Sequence, residues 1–147
     1  MRWTLIVAAL AAILTAPVHA ADARYGKQQV VYHINGGGGE GGRIYKQILQ
    51  NMDNHLAVVG KENLTIHAVM HGDGLGMLSV AQKDAQMQAA IDNLKLQNVK
   101  FLVCNFTLLR RSIKLGELYD AVEDDIVPSG VAEVAHLQTK GFSYLKP

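Results

Sequence analysis

Val99-Lys100-Phe101-Leu102-Val103-Cys104 decides the fold class, because it is the most apolar extended run beyond the N-terminal segment. Continuous rather than alternating apolarity marks a strand buried on both faces, and a parallel sheet supplies that burial. The run is therefore the expected centre of the sheet. Upstream, Gln28 to Ile34 (QQVVYHI) and Leu64 to Met70 (LTIHAVM) are β-branched and aromatic runs bounded by glycines, and both predict strands. Between them Ile44, Ile48, Met52 and Leu56 recur every four residues with Tyr45 and Leu49 beside them, the stripe of a four-turn helix. A second helix is expected over roughly 84–97, with Ala85, Ala89 or Ala90, Ile91 and Leu94 inward and Asn98 ending it.

Downstream of Cys104 a short helix is expected from about Thr107 to Ile113, and residues 116–120 carry no clear signal. Asp125-Ile126-Val127 reads as a short strand ended by Pro128. Ser129 then caps a helix to about Thr139, Gly141 stops it, and residues 142–145 form a last strand. Strands alternating with helices imply right-handed crossovers. The expectation is one α/β domain, a mainly parallel five-stranded sheet with helices on both faces. No linker or repeat divides it.

Residues 1–20 (MRWTLIVAALAAILTAPVHA) read as a signal peptide: one charge at Arg2, an uncharged run from Trp3 to Leu14, then Pro17 and small residues before a cleavage site after Ala20. The run falls short of the roughly 20 residues that span a bilayer, so stable membrane insertion is not expected. A bacterial periplasm is the expected destination, with residues 21–147 as the domain. Removing 20 of 147 residues leaves 127, in which 13 Lys and Arg balance 13 Asp and Glu. Neutrality argues against nucleic acid, whose binding rests on phosphate neutralisation, and against anionic lipid.

In parallel α/β folds, ligands bind outside the carboxyl ends of the strands. Three features fall there: Asn35 to Gly42 after the first strand, His71-Gly72-Asp73 after the second, and Cys104-Asn105 after the third. Gly36, Gly38 and Gly41 satisfy GxGxxG, but six glycines in eight positions make that match nearly unavoidable. A dinucleotide site would also want an acidic residue where His71 stands, and no Walker lysine follows. The loop is either a flexible turn or an anion site. His71 and Asp73 are either a polar loop or an acid–base pair. As metal ligands with Cys104 they lack a completing cluster, so no metal is expected. His33 and His67, inside strands, read as core or interface histidines.

Cys104 is the single cysteine, so no intramolecular disulfide forms. It precedes a helix that carries Arg110 and Arg111. That helix's positive end favours a thiolate, whereas a strand end favours a packed, inert thiol. Position leaves both open.

The segment from Phe101 to Arg111 (FLVCNFTLLRR) resembles the DsrE/DsrF-like sulfur-relay family, in which a strand ends in a cysteine followed by a short helix bearing arginines. The opening VVYHIN and the tail from Val127 through Pro147 are similar to the family's exported single-domain members. The resemblance spans about residues 28–147. It implies a five-stranded α/β fold, assembly into homo-oligomers (trimers or hexamers), and a Cys104 that carries sulfane sulfur as a persulfide, with Arg110 or Arg111 assisting. It implies sulfane-sulfur donors and acceptors, proteins or small molecules, as partners, and no cofactor. The alternative reading is a non-catalytic oligomeric module in which Cys104 is packing and the glycine and His71-Gly72-Asp73 loops bind a small molecule or anion.

Overall fold

Seven residues of strand β1 (Gln28–Ile34) pair in parallel with seven of β2 (Leu64–Met70), from Gln28 opposite Leu64 to Ile34 opposite Met70. The computed structural model describes residues 24–147, so the expected signal peptide and its cleavage site after Ala20 lie outside the described residues. Further strands are β3 (Lys100–Cys104), β4 (Ile126–Val127) and β5 (Ser143–Leu145). The sheet order is β4-β3-β2-β1-β5, and every pairing is parallel. β2, not β3, is therefore central. β3 is buried all the same, because helices cover its faces and β4 pairs its last two residues.

Helix α1 (Arg43–Val59) joins β1 to β2 and buries Tyr45, Ile48, Leu49, Met52, Leu56 and Val59; Ile44, expected in its stripe, is exposed. Between β2 and β3 run two helices where one was expected, α2 (Gly76–Ala81) and α3 (Ala85–Leu96). Six residues are too few for a helical period to show in sequence, yet α2 buries Met77, Leu78 and Ala81. Asp84 caps α3 by accepting from the backbone N–H groups of Gln86 and Met87, each at 3.1 Å. That start turns Met87, Ile91 and Leu94 inward and leaves Ala85 and Ala89 exposed.

The helix after β3, α4 (Asn105–Arg111), starts two residues earlier than expected, directly on Cys104. It also stops earlier. Ser112 adopts a left-handed conformation while Ser112 and Ile113 donate back to Leu109 and Leu108, a Schellman closure. Helix α5 (Gly130–Thr139) begins on Ser129, whose hydroxyl accepts from Ala132, and ends before Gly141 at φ 89°.

The chain steps outward from β1 to β4, then α5 crosses back over the opposite face to place β5 beside β1. Residues of α1, α2 and α3, with Leu108 of α4, pack on one face of β1, β2 and β3 in a core of 25 buried residues. On the other face Val134 and Leu137 of α5 meet Val31, Val69 and Leu102, five in all. The connections leaving β3 and β4 thus depart on opposite faces, which opens a crevice between their carboxyl ends.

Candidate functional site

Cys104 is the last residue of β3 and faces α5, two residues beyond Leu102 of the smaller core. It is 4% exposed. Burial pushes its thiol pKa up, but four donors outweigh that and hold it below the ordinary 9.0: the Thr107 hydroxyl and the backbone N–H groups of Gly130, Thr107 and Phe106. These come from the first turns of both α4 and α5. Thr107 is committed to this task, because its oxygen already accepts from the Gly72 N–H at 3.0 Å, which leaves its own proton for the sulfur.

Gly130 makes the approach of α5 possible. A Cβ there would lie 2.9 Å from the Cβ of His71 and 3.3 Å from the Cβ of Cys104, so any side chain would push the cradle apart. A cavity of about 260 Å³ opens over the sulfur, lined by His71, Cys104, Phe106, Thr107, Arg110, Ser129 and Val131. The Arg110 guanidinium lies 6.0 Å over the Phe106 ring at this mouth.

The sequence of the chain matches the DsrE/DsrF-like family over residues 34–147. The chain belongs to that family. Among solved structures it is similar to MTH1491 from Methanobacterium thermoautotrophicum, described as a protein of unknown function. The two share 26% identity over 82% of this chain and all of that one, with a TM-score of 0.67. A comparison with curated proteins finds no match.

The remaining sequence candidates separate around Cys104. Arg110 reaches the cavity. Arg111 instead pairs with Asp73, Nη1 to Oδ1 at 2.7 Å, so Asp73 is not the partner of His71. Asn105 is half-buried at the start of α4. Gly36, Gly38 and Gly41 do not line the cavity over Cys104. Gly36 borders a smaller cavity with Lys146 and Pro147, and Gly41 takes a left-handed turn at φ 58°. Gly38 seats a ring: a Cβ there would stand 2.4 Å from Tyr45, and one at Gly76 2.5 Å from the Tyr45 hydroxyl. That hydroxyl donates to the Asp73 carbonyl at 2.5 Å. The loop rich in glycine is thus a recess for Tyr45. Among the described residues no three of His, Cys, Asp and Glu gather where a metal ion could be held.

Sequence reasoning missed the partner of His71. It is His33 of β1, whose Nε2 lies 2.6 Å from the Nε2 of His71, while its Nδ1 lies 2.8 Å from the Tyr144 hydroxyl of β5. The signal was parity. Val31 and His33, and Val69 and His71, occupy alternate positions facing α5, so two parallel strands in register bring both rings to one edge. Burial lowers the pKa of both imidazoles; for His33 the charge of His71 adds to this, and for both the charge of Lys146 does.

Proposed function

We propose that this protein carries sulfane sulfur as a persulfide on Cys104, in a bacterial periplasm and as a homo-oligomer. Family membership points to a sulfur-relay-related role. The observation that carries the finer reading is the cradle of four donors that favours an anionic Sγ at the floor of a cavity. The same donors that stabilise the attacking thiolate stabilise it again as the leaving group when the outer sulfur is delivered.

The step balances without a redox partner. The Cys104 thiol gives up its proton and Sγ attacks the outer sulfur of a donor, R–S–SH. The Sγ–S bond forms as the donor S–S bond breaks, and R–S⁻ leaves with the electron pair and is protonated. Cys104–S–SH and R–SH result. Delivery to an acceptor thiol repeats the exchange in reverse. Arg110 at the mouth favours an anionic donor.

The deciding experiment is mass spectrometry of the protein after incubation with inorganic polysulfide or thiosulfate. The expected result is the added mass of one sulfur on the peptide containing Cys104, removed by a small thiol. No gain with either reagent would overturn the carrier reading and favour the binding module. Sedimentation above the monomer mass and a mature N-terminus at Ala21 are the expected results for assembly and export.

A further inference from the structure

We propose that His71 is the acid–base residue of the sulfur exchange, and that His33 and Tyr144 position it and connect it to solvent as a proton relay. This rests on the carrier reading above and adds to it the route of the proton. The geometry is a chain of three side chains from three strands: Tyr144 hydroxyl to His33 Nδ1 at 2.8 Å, then His33 Nε2 to His71 Nε2 at 2.6 Å. The rings of His33 and His71 are stacked, with centroids 4.8 Å apart. One end of the chain is exposed at Tyr144; the other is His71, which lines the cavity over Cys104. Gly130 is pressed between the Cβ atoms of His71 and Cys104, so nothing bulkier than a backbone separates their stems.

Each ring nitrogen in the chain can take either role, which is what a relay needs. If Tyr144 donates to His33 Nδ1, then His33 donates from Nε2 to His71, and His71 carries its proton on Nδ1. If His71 donates from Nε2, every polarity reverses, and Nδ1 of His71 is free to accept. A proton taken at Nδ1 of His71 is thereby matched by one released at Tyr144. In the exchange, His71 takes the proton of the Cys104 thiol as Sγ attacks the outer sulfur of R–S–SH. It gives a proton to R–S⁻ as the donor S–S bond breaks, and the chain runs back as Tyr144 takes up a proton from solvent in place of the one it released. The protein gains no net proton, and no oxidant enters.

The pair must be neutral at the outset to accept. Burial enforces this first, then Lys146 near the chain end, which lowers both imidazoles, and His71, which lowers that of His33 in β1; Arg110 of α4 lines the same cavity as His71. Cys104 faces it from β3 and Tyr144 from β5, while α5 brings Ser129, Gly130 and Val131, which carry no charge. Asp73, two residues away, is engaged by Arg111.

The test measures the rate of Cys104 loading from cysteine persulfide between pH 5 and 8, about the ordinary imidazole value. Alkylation by iodoacetamide, which needs the thiolate but no acid, is followed alongside. In wild type, loading should fall on the acid side as the imidazole pair is protonated. His71→Gln should slow loading by about 100-fold at neutral pH and abolish that acid limb, with alkylation within about threefold of wild type. Lys146→Gln, a surface change, should move the acid limb to higher pH, because Lys146 helps hold both imidazoles low. It keeps the test alive if His71→Gln does not fold.

Wild type that never loads overturns the carrier reading itself. Wild type that loads, with His71→Gln matching its rate and profile, overturns the relay alone. So does an acid limb that Lys146→Gln leaves in place, or alkylation of His71→Gln that falls as far as loading.

Discussion

Helices α1, α2 and α3, with Leu108 of α4, cover one face of the sheet, whereas α5 alone covers the other, and the two faces differ in chemistry as much as in thickness. The thick face is mostly apolar, with Tyr32, Met52, Ile66, Phe101 and Met87 almost wholly buried. The thin face has five buried apolar residues, and around them His33, His67, His71, Tyr144 and Cys104. Stability is concentrated where chemistry is absent. A single crossing helix leaves room at its N-terminus for a cavity, and the twenty-five-residue core opposite supplies the rigidity that a positioned thiol needs.

The sharpest way to test that division is Cys104→Ser. Sulfur loading should vanish entirely, while stability falls by at most about 1–3 kcal/mol from a hydroxyl in a thiol's place. Mass spectrometry and urea denaturation read the two effects separately. Next comes a pair of truncations. Phe101→Ala on the thick face should cost about 3–5 kcal/mol. Val134→Ala on the thin face, which removes less buried surface, should cost about 1–2 kcal/mol. Equal losses in denaturant midpoint would mean that the faces contribute alike.

Gly130→Ala should follow, at about 1–3 kcal/mol, since the methyl forces His71 and Cys104 apart. Loading should slow at least about tenfold with it, as misplacement in a reacting pair predicts. A variant that loads at the wild-type rate would show that the close approach is dispensable.

Acid should act mainly on the thin face. Burial lowers the pKa of His33, His67 and His71 there, and of His55 on the thick face. A folded-state value below the ordinary 6.5 means that the unfolded chain binds the proton first. The stabilising effect is therefore complete above pH 6.5 and is lost as pH falls through the lowered values. His67 makes this acute, because its Nδ1 is buried without a partner and its ring packs on Phe142. Unfolding midpoints should drop below pH 6.5, and His67→Leu should flatten the drop. Smallest of all is Asp73→Asn: the ion pair with Arg111 is half exposed, so its loss should cost less than about 1 kcal/mol and leave loading intact.

Strands and capped helices were legible because each carries its signal locally. QQVVYHI, LTIHAVM and KFLVC are strands where their composition places them, and Ser129 and Gly141 bound α5 as their chemistry requires. What failed was long-range. Apolarity alone put β3 at the centre, but sheet order depends on where the last crossover returns, and β5 returned beside β1. Cys104 was legible as a candidate because it ends a strand. Its donors were only half so, since α4 adjoins it in sequence, whereas Gly130 arrives from 26 residues on. His33 was read as packing because nothing near it in sequence shows that β2 brings His71 to its edge.

Tyr45 in its glycine recess has a consequence for how the thiol is kept still. A run of small residues usually confers slack, yet here Gly38 and Gly76 close on a ring, and that ring's hydroxyl grips the Asp73 carbonyl. The adjacent Gly72 N–H holds Thr107, and Thr107 holds the sulfur. Steadiness at Cys104 is thus borrowed from the segment with the fewest side-chain atoms, like a keystone seated by the shape of the gap. Lengthening that segment by even one flexible residue would loosen the grip at one end and blur the aim of the hydroxyl at the other.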